Sequence, residues 1–561
     1  MEDHLPGAFL RSHAETRGFA LFARLRARLS ACDPYDLAVA LLLVALVVLV
    51  FATYGDYAIS NDEPVQQRYG ELIVAYYRSG FADQSLFHYK NLYLYGGLFD
   101  ILAVLVERQV SFIAAYDVRH ILCGLIGITG IGGAYVTARL VAGPRAGAIA
   151  AFALAACGPW YGSMFNHTKD IPFATAMIGA TYFLLRAARN LPRPRWGAIV
   201  GFGLLFGAAL GIRVLGLLMI GYAGLAMLVR IPHLRTGPVR DHLSFFAQSV
   251  IAFLPAFLIG YVIMIAAWPW SALAPLNPIR GLIDFGQFNM EIHTLLAGQV
   301  YTMGNLPRWY VPAYLLIKLP LLMLAGAGIA FALILWPSGP ASRTAEQRLE
   351  TALLVFIAVF PVICEVVDRG PADTGLRQFL FVVPVFAVLT GIGFDWLLNM
   401  LAAWRRLAAA GAGAAILAGL IWDASVLVRL HPYQYLFFNP LVGGLQGAER
   451  HYDTDYWVNI MPEAVDALEA YIAKLDAAEP GRRYKVAVCG ERLPFEKEAG
   501  PRLEWTKDWQ KADFFIAPTH MNCDRALDGK VIATITRMGA QIGVVKDRRA
   551  LVRPAIANGH R

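Results

Sequence analysis

Between Asp36 and about residue 430, long apolar runs alternate with short polar connectors. The first run, "DLAVALLLVALVVLVFATY", starts at Asp36. Each run approaches the ~20 residues that cross a bilayer as a helix. Spans are expected over 36–54, 119–140, 146–163, 171–189, 197–212, 214–230, 244–267, 311–336, 351–367, 377–397 and 411–429. That is about eleven by the hydropathy criterion. The first is expected to be retained: a long polar stretch precedes it and no small-residue cleavage site follows. Only "GIRVLG" joins the short runs 197–212 and 214–230. They form a tight turn near the outer surface or a re-entrant pair lining a polar chamber. Arg213 between them either snorkels to the headgroups or faces a cavity.

Beyond residue 430 the pattern changes to that of a small α/β domain. "MPEAVDALEAYIAKL" (461–475) has helical spacing, with Pro in the first turn. "YKVAVCG" and "ADFFIAP" read as buried strands, and "KVIATITRMGAQIGVVKD" as a strand pair around a Met-Gly turn. The expected organisation is an N-terminal segment 1–35, a membrane domain 36–430 with a long first outer loop 55–118, and a C-terminal domain 431–561. The last carries no Gly-rich phosphate loop and no His-Glu metal motif.

Composition supports a membrane protein. Apolar residues make up 57% of the 561 and charged residues only 16%, against about 25% charged in soluble chains. The mean hydropathy is +0.50. Orientation follows from Lys and Arg. Arg11, Arg17, Arg24, Arg26 and Arg28 precede the first span, which puts the N-terminus in the cytoplasm. Arg139 with Arg145, "RAARNLPRPRW" (186–196), "RIPHLRTGPVR" (230–240), Arg343 with Arg348, and Arg405 with Arg406 then share that side. An odd number of spans leaves the C-terminal domain outside. The net charge of +8 reflects this bias, and nucleic acid is not an expected partner. Cys123, Cys157 and Cys364 sit in apolar runs as small hydrophobes, and Cys32 is cytoplasmic and reduced. Cys489 and Cys523 share the oxidising side, and sequence leaves both a bridge and free thiols open.

Ionisable groups gather at span ends on the outer side. They are Asp62 and Glu63 in "ISNDEPVQQRYGE", Lys90 in "FHYKNLYLYGG", and His167, Lys169 and Asp170 in "NHTKDIP". Arg213 and the loop "DRGPADTGLRQ", with Asp368, Arg369, Asp373 and Arg377, complete the set. Asp62 and Asp170 also suit helix N-termini with Pro in the first turn. Acids and cations at one membrane face suit a substrate that is half lipid and half polar. Sugar transfer from a polyprenyl phosphate needs a carboxylate to take the acceptor's proton, and Lys or Arg to hold the leaving phosphate.

These residues lie in segments that resemble a known superfamily. An Asp-Glu pair opens the first outer loop, followed in order by "HYKNLYLYGGLFD" (88–100), "HTKDIPF" (167–173) and "LPRWYVPAYLLIKLPLLML" (306–324). "GLRQFLFVVPVF" (375–386) and "HPYQYLFFNPLVGGLQGAERHYDTDYW" (431–457) come after. The chain resembles the GT-C superfamily of integral-membrane glycosyltransferases, and within it the protein O-mannosyltransferase and lipid A aminoarabinose transferase branch. The resemblance runs from about Asp36 to Lys546. It departs where Asn91-Leu92 replaces a Pro-Pro after the basic residue, and where Gln378-Phe379 replaces a Tyr after Arg377.

The resemblance implies a polytopic α-helical fold of GT-C type with a small periplasmic C-terminal α/β domain, in a bacterial inner membrane. It implies an inverting transferase that moves a sugar from a polyprenyl-phosphate donor to a hydroxyl of a glycan, lipid or protein. Asp62 is then the base with Glu63 in support. Lys90, Arg213 and Arg377 hold the donor phosphate, and His167, Lys169 and Asp170 form a second acidic motif. His167 and Asp170 offer ligands without a defining spacing, which leaves a divalent cation open. Two other classes stand beside this one. A transporter would carry its charges at the midplane and show repeated halves. A scaffold anchored in the membrane would need only one span.

Overall fold

A computed structural model of the chain describes residues 33–552 apart from 232–237, 287–292, 336–342, 369–371, 373 and 476–480. The expected N-terminal segment up to Cys32, part of the 230–240 connector, and Arg369 and Asp373 therefore lie outside the described residues.

Helix covers each of the expected runs. Among the described residues, seven helices are long and apolar enough to cross a membrane, or nine if each of two bent pairs is one span. The short helices Trp196–Leu210 and Val214–Val229 carry the remaining runs. The chain is a multi-pass α-helical membrane protein.

The first helix starts at Pro34, with Asp33 capping the Tyr35 N–H at 2.9 Å. Little of it is buried, and it presents Leu41, Val44, Val48 and Phe51 outward. Val239–Ala267 and Arg406–Leu430 are similarly peripheral. Outward apolar side chains on such helices are what a lipid surround requires. Arg377–Trp404 and Asp170–Ala188, each with most of its apolar stretch buried, run through the middle. Small residues let the central helices touch. A Cβ on Gly393 would stand 2.0 Å from the carbonyl oxygen of Gly326, so only glycine fits there.

Two of the expected spans are broken. The run 311–336 is a helix Tyr310–Lys318 followed by Leu321–Leu335, bent by 117°. Pro320 is the cause: it has no N–H to donate, and it holds Leu319 in extended backbone at φ −78°, ψ 141°. Asn439 takes up the released end, its amide donating to the carbonyls of Leu316 at 2.6 Å and Leu319 at 2.8 Å. The run 146–163 breaks by 62° between Pro144–Ala155 and Gly158–Asn166, before Pro159.

The first outer loop is itself helical, with Glu63–Arg78 and Leu98–Glu107 packed together. Residues 268–310, read as loop, hold a helix Asn277–Gly286 and a hairpin of β1 (His293–Leu296) and β2 (Gln299–Thr302). Four-residue strands are too short to show alternation in sequence.

The C-terminal region forms the expected small domain. Its strands are β3 (Tyr484–Val488), β4 (Leu503–Trp505), β5 (Phe514–Pro518), β6 (Lys530–Arg537) and β7 (Ala540–Asp547), in the order β4-β3-β5-β7-β6. The β3 strand pairs parallel with β4 and β5, and the rest is antiparallel. Met538 and Gly539, at φ 47° and 83°, make the β6–β7 turn in the left-handed geometry that suits a tight hairpin. Helix Met461–Leu475 packs on β6 and β7.

Cys489 and Cys523 form a disulfide. Cys123 and Cys157 are buried, whereas Cys364 lies on an exposed helix face beside Ile363 and Val367. The bridge closes a loop of sequence separation 34, for which chain entropy predicts roughly 3–4 kcal/mol of stabilisation. Cys523→Ser should therefore leave the helical bundle intact and speed limited proteolysis of the C-terminal domain. Equal cleavage rates would show that the bridge contributes nothing.

Candidate active site

Asp62, Asp170, Arg213 and Arg377, all singled out in the sequence, meet at the end of the bundle nearest the C-terminal region. Asp170 begins the buried helix Asp170–Ala188 and is 4% exposed. A carboxylate in that position costs several kcal/mol unless cations neutralise it. Arg213 supplies one, through an ion pair with Asp170 Oδ1. Arg377 supplies another, its Nε 3.1 Å from Oδ2. The far nitrogen of Arg377 then pairs with Asp62. One guanidinium thus joins the two acidic motifs, 62–63 and 167–170.

Arg213 is 5% exposed, so it does not snorkel. It sits in extended backbone between two short helical pieces, and its second nitrogen donates to Gln378 Oε1 at 2.8 Å. Asp62 takes the N-cap place of helix Glu63–Arg78, but its side chain caps nothing. It is turned toward Arg377 and is 42% exposed. Glu63 points the other way and is fully buried. It accepts the Ser60 N–H at 2.7 Å and lies 3.2 Å from the ring of His120. Its contacts hold the turn from which Asp62 projects.

His167 is buried and saturated. Trp457 Nε1 and the Tyr456 hydroxyl both point at its Nε2, each at 2.8 Å, while Nδ1 lies 3.1 Å from Asn166 Oδ1. Burial pushes its pKa down to about 3, so the ring is neutral. A metal at His167 and Asp170 does not fit this donor set. The imidazole lone pair is taken by Trp457, and both Asp170 oxygens are taken by arginines. Among the described residues no three His, Cys, Asp or Glu side chains converge elsewhere.

Lys169 is the cation left over. It is 6% exposed, with its ammonium 4.3 Å over the Tyr95 ring, and among the described residues no carboxylate lies within ion-pair distance. Burial pulls its pKa down to about 8, against the raising effect of Asp100 and Asp62. Asp100 itself is paired with Arg119 at 2.7 Å, both side chains being buried. Lys90 is not part of this cluster. It is exposed, at φ 51°, and makes no hydrogen bond or ion pair among the described residues.

Sequence reading also missed partners from the C-terminal region. The Arg377 guanidinium lies 4.4 Å from the Trp457 ring, a contact that holds a cation without neutralising it. The segment "HYDTDYW" was legible as a motif, but nothing in it pointed to this stack. An apolar groove of about 310 Å³ is lined by Val214, the residue after Arg213, together with Leu218, Tyr222, Phe356 and Phe360.

Residues 115–270 match the model of the dolichyl-phosphate-mannose-protein mannosyltransferase family. The matched stretch contains His167, Lys169, Asp170 and Arg213, and leaves Asp62 and Arg377 outside. No curated protein matches the chain significantly in sequence. Among solved structures, ArnT from Cupriavidus metallidurans bound to undecaprenyl phosphate has a TM-score of 0.46 at 16% identity, over 90% of this chain and 97% of that one. The archaeal oligosaccharyltransferase AglB from Archaeoglobus fulgidus has a TM-score of 0.41 at 12% identity, over 85% and 69%.

The two acids differ in what their loss should do. Asp170→Asn leaves two arginines facing a neutral amide in a buried site, and should cost about 3–5 kcal/mol of stability. Asp62→Asn, at a half-exposed position, should cost less than about 1 kcal/mol. Thermal midpoints of the detergent-solubilised variants test the contrast, and equal losses would contradict it.

Proposed function

We propose that this protein is a glycosyltransferase that moves a sugar from a polyprenyl-phosphate donor to an acceptor hydroxyl. The observation that carries the reading is the Asp62–Arg377–Asp170–Arg213 series with Lys169 beside it, and an apolar groove lined by Val214, the residue after Arg213. A lipid-linked phosphate matches that combination: its hydrocarbon lies along the groove and its anionic head meets the cations. The family match over residues 115–270 supports the same donor class, a lipid phosphate bearing a sugar.

The division of roles follows from the pairing. Asp62 is the base, because of the two carboxylates bridged by Arg377 it is the half-exposed one. In the resting structure Arg377 covers it. A donor phosphate competes for Arg377, and each degree of withdrawal frees Asp62 to accept a proton. The acceptor oxygen, losing its proton to Asp62, attacks the anomeric carbon. The bond from that carbon to the phosphate oxygen breaks, and polyprenyl phosphate leaves with its charge held by Lys169, Arg377 and Arg213. The leaving group needs no proton. A single displacement inverts the anomeric centre, and net retention in the product would rule it out. Lys169 takes the role that sequence resemblance gave to Lys90.

The location we propose is the periplasmic face of a bacterial inner membrane. The basic connectors Arg145, Arg189, Arg343 and Arg405 belong to the opposite end of the bundle, as the positive-inside rule asks of a cytoplasmic side. The disulfide in the C-terminal domain agrees with an oxidising compartment.

Loss of a general base typically costs about 10²–10⁴ in rate. Cells carrying Asp62→Asn should lack one sugar on a surface lipid, glycan or protein, and should accumulate the polyprenyl-phosphate sugar, both read by mass spectrometry. Identical profiles at normal protein level would remove Asp62 from the base role. Lys169 gives a second test, through pH. Its ammonium is charged below a pKa of about 8 and loses its charge above it. Donor kcat/KM, which reports the free enzyme, should therefore fall as pH rises through that value. Lys169→Arg stays charged and should flatten this alkaline limb; an unchanged limb would exclude Lys169.

A further inference from the structure

The motif "HYDTDYW" reaches the site through Tyr456 and Trp457, yet one of its two buried acids, Asp453, touches none of the charged cluster. Asp453 is 1% exposed. Its carboxylate accepts the Thr294 hydroxyl and the Leu295 N–H, the latter at 2.9 Å. The Tyr314 hydroxyl lies 3.3 Å from it and His520 Nδ1 3.7 Å. Burial raises its pKa, while His520 and the hydrogen bonds lower it.

From this carboxylate a directed chain of hydrogen bonds leads to Arg377. Thr294 gives its proton to Asp453, so the 2.8 Å contact between Thr294 and Tyr310 has the tyrosine as donor. The Tyr310 oxygen in turn accepts the Gly375 N–H at 2.7 Å. Every bond has the same polarity, from Gly375 through Tyr310 and Thr294 to a carboxylate that the Tyr310 hydroxyl also reaches directly, at 3.5 Å. Bonds in such a chain polarise one another, and the last is charge-assisted.

What the chain holds is an unusual piece of backbone. Thr374 and Gly375 both have positive φ, 54° and 71°, and a threonine there needs its surroundings to keep it so. Arg377 follows two residues later, at the start of the turn Arg377–Val382. The turn at Thr374 and Gly375 thus leads the backbone directly into the residue that bridges Asp62 and Asp170.

We propose that Thr294 and Asp453 are positioning residues for Arg377, acting through Tyr310 and the Gly375 amide. They aim the guanidinium between Asp62 and Asp170, where it meets the donor phosphate; this last step rests on the function proposed above. The β1–β2 hairpin is then a brace for the site, tied by Asp453 to the segment that carries Trp457.

The test uses the full-length protein in detergent, with undecaprenyl phosphate as the probe. Thr294→Val keeps the shape and removes the hydroxyl, whereas Thr294→Ser keeps the hydroxyl. Amide exchange over residues 374–378 and the Kd for the probe are measured on both, with Arg377→Met as reference. Thr294→Val should exchange faster and bind about fivefold or more weakly, and Thr294→Ser should match the wild type in both. Tyr310→Phe, which removes the acceptor of the Gly375 N–H, should behave like Thr294→Val and replaces it if that variant is not recovered. Wild-type affinity in both hydroxyl-deleted variants, with loss in Arg377→Met, overturns the positioning role alone. Wild-type affinity in Arg377→Met overturns the donor reading on which the proposal rests.

Discussion

A carboxylate at the buried end of a central helix must be neutralised where it stands, and the pairing of Asp170 with two arginines meets that demand. The helix cannot readily move Asp170 outward, because most of its remaining residues are buried in the bundle. The cations must come to it. Arg213 comes from an extended break between two short helices, and Arg377 from the turn that precedes the most buried helix of the bundle. Both breaks place polar backbone inside an apolar body, and both are tolerable because they line a polar site. The architecture around the site can be traced to this one electrostatic requirement.

Arg377 carries a second obligation, since it also reaches Asp62. A single guanidinium has planar, divergent donors, and so can bridge two carboxylates where an ammonium would favour one. Trp457 covers its face and contributes attraction without charge. The described cluster of Asp62, Asp170, Arg213 and Arg377 is therefore balanced, and Lys169 stands beside it in excess. A balanced cluster is stable without substrate. The added cation makes the arrival of an anion favourable and gives it a definite place.

The C-terminal region participates through the strap that precedes its sheet. Asp455 accepts from the Tyr435 hydroxyl and from the N–H groups of Asn459 and Ile460, which fixes the strap on itself. Tyr456 and Trp457 fix His167, whose neutral ring then serves as a rigid wall. Burial has opposite effects on the two kinds of group here. It raises the pKa of Asp455 to about 6 and lowers that of His167 to about 3. In each case it favours the neutral form.

The run lengths and the one-sided distribution of Lys and Arg were enough to read a multi-span helical protein with a small terminal domain. The strands around Val486, Phe515 and Val545, and the Met538–Gly539 turn, were equally legible. These features depend on local periodicity and on the cost of apolar surface in water. The acids and cations of the site were visible as residue types at span ends, but their partners were not. The separate roles of Asp62 and Glu63, adjacent in sequence, follow from the opposite directions their side chains take at a helix start. The exclusion of Lys90 and the contacts of Trp457, Thr294 and Asp453 depend on segments that lie far apart in sequence. Pairing energy falls steeply with distance and depends on burial, and neither quantity is a property of the chain until it is folded.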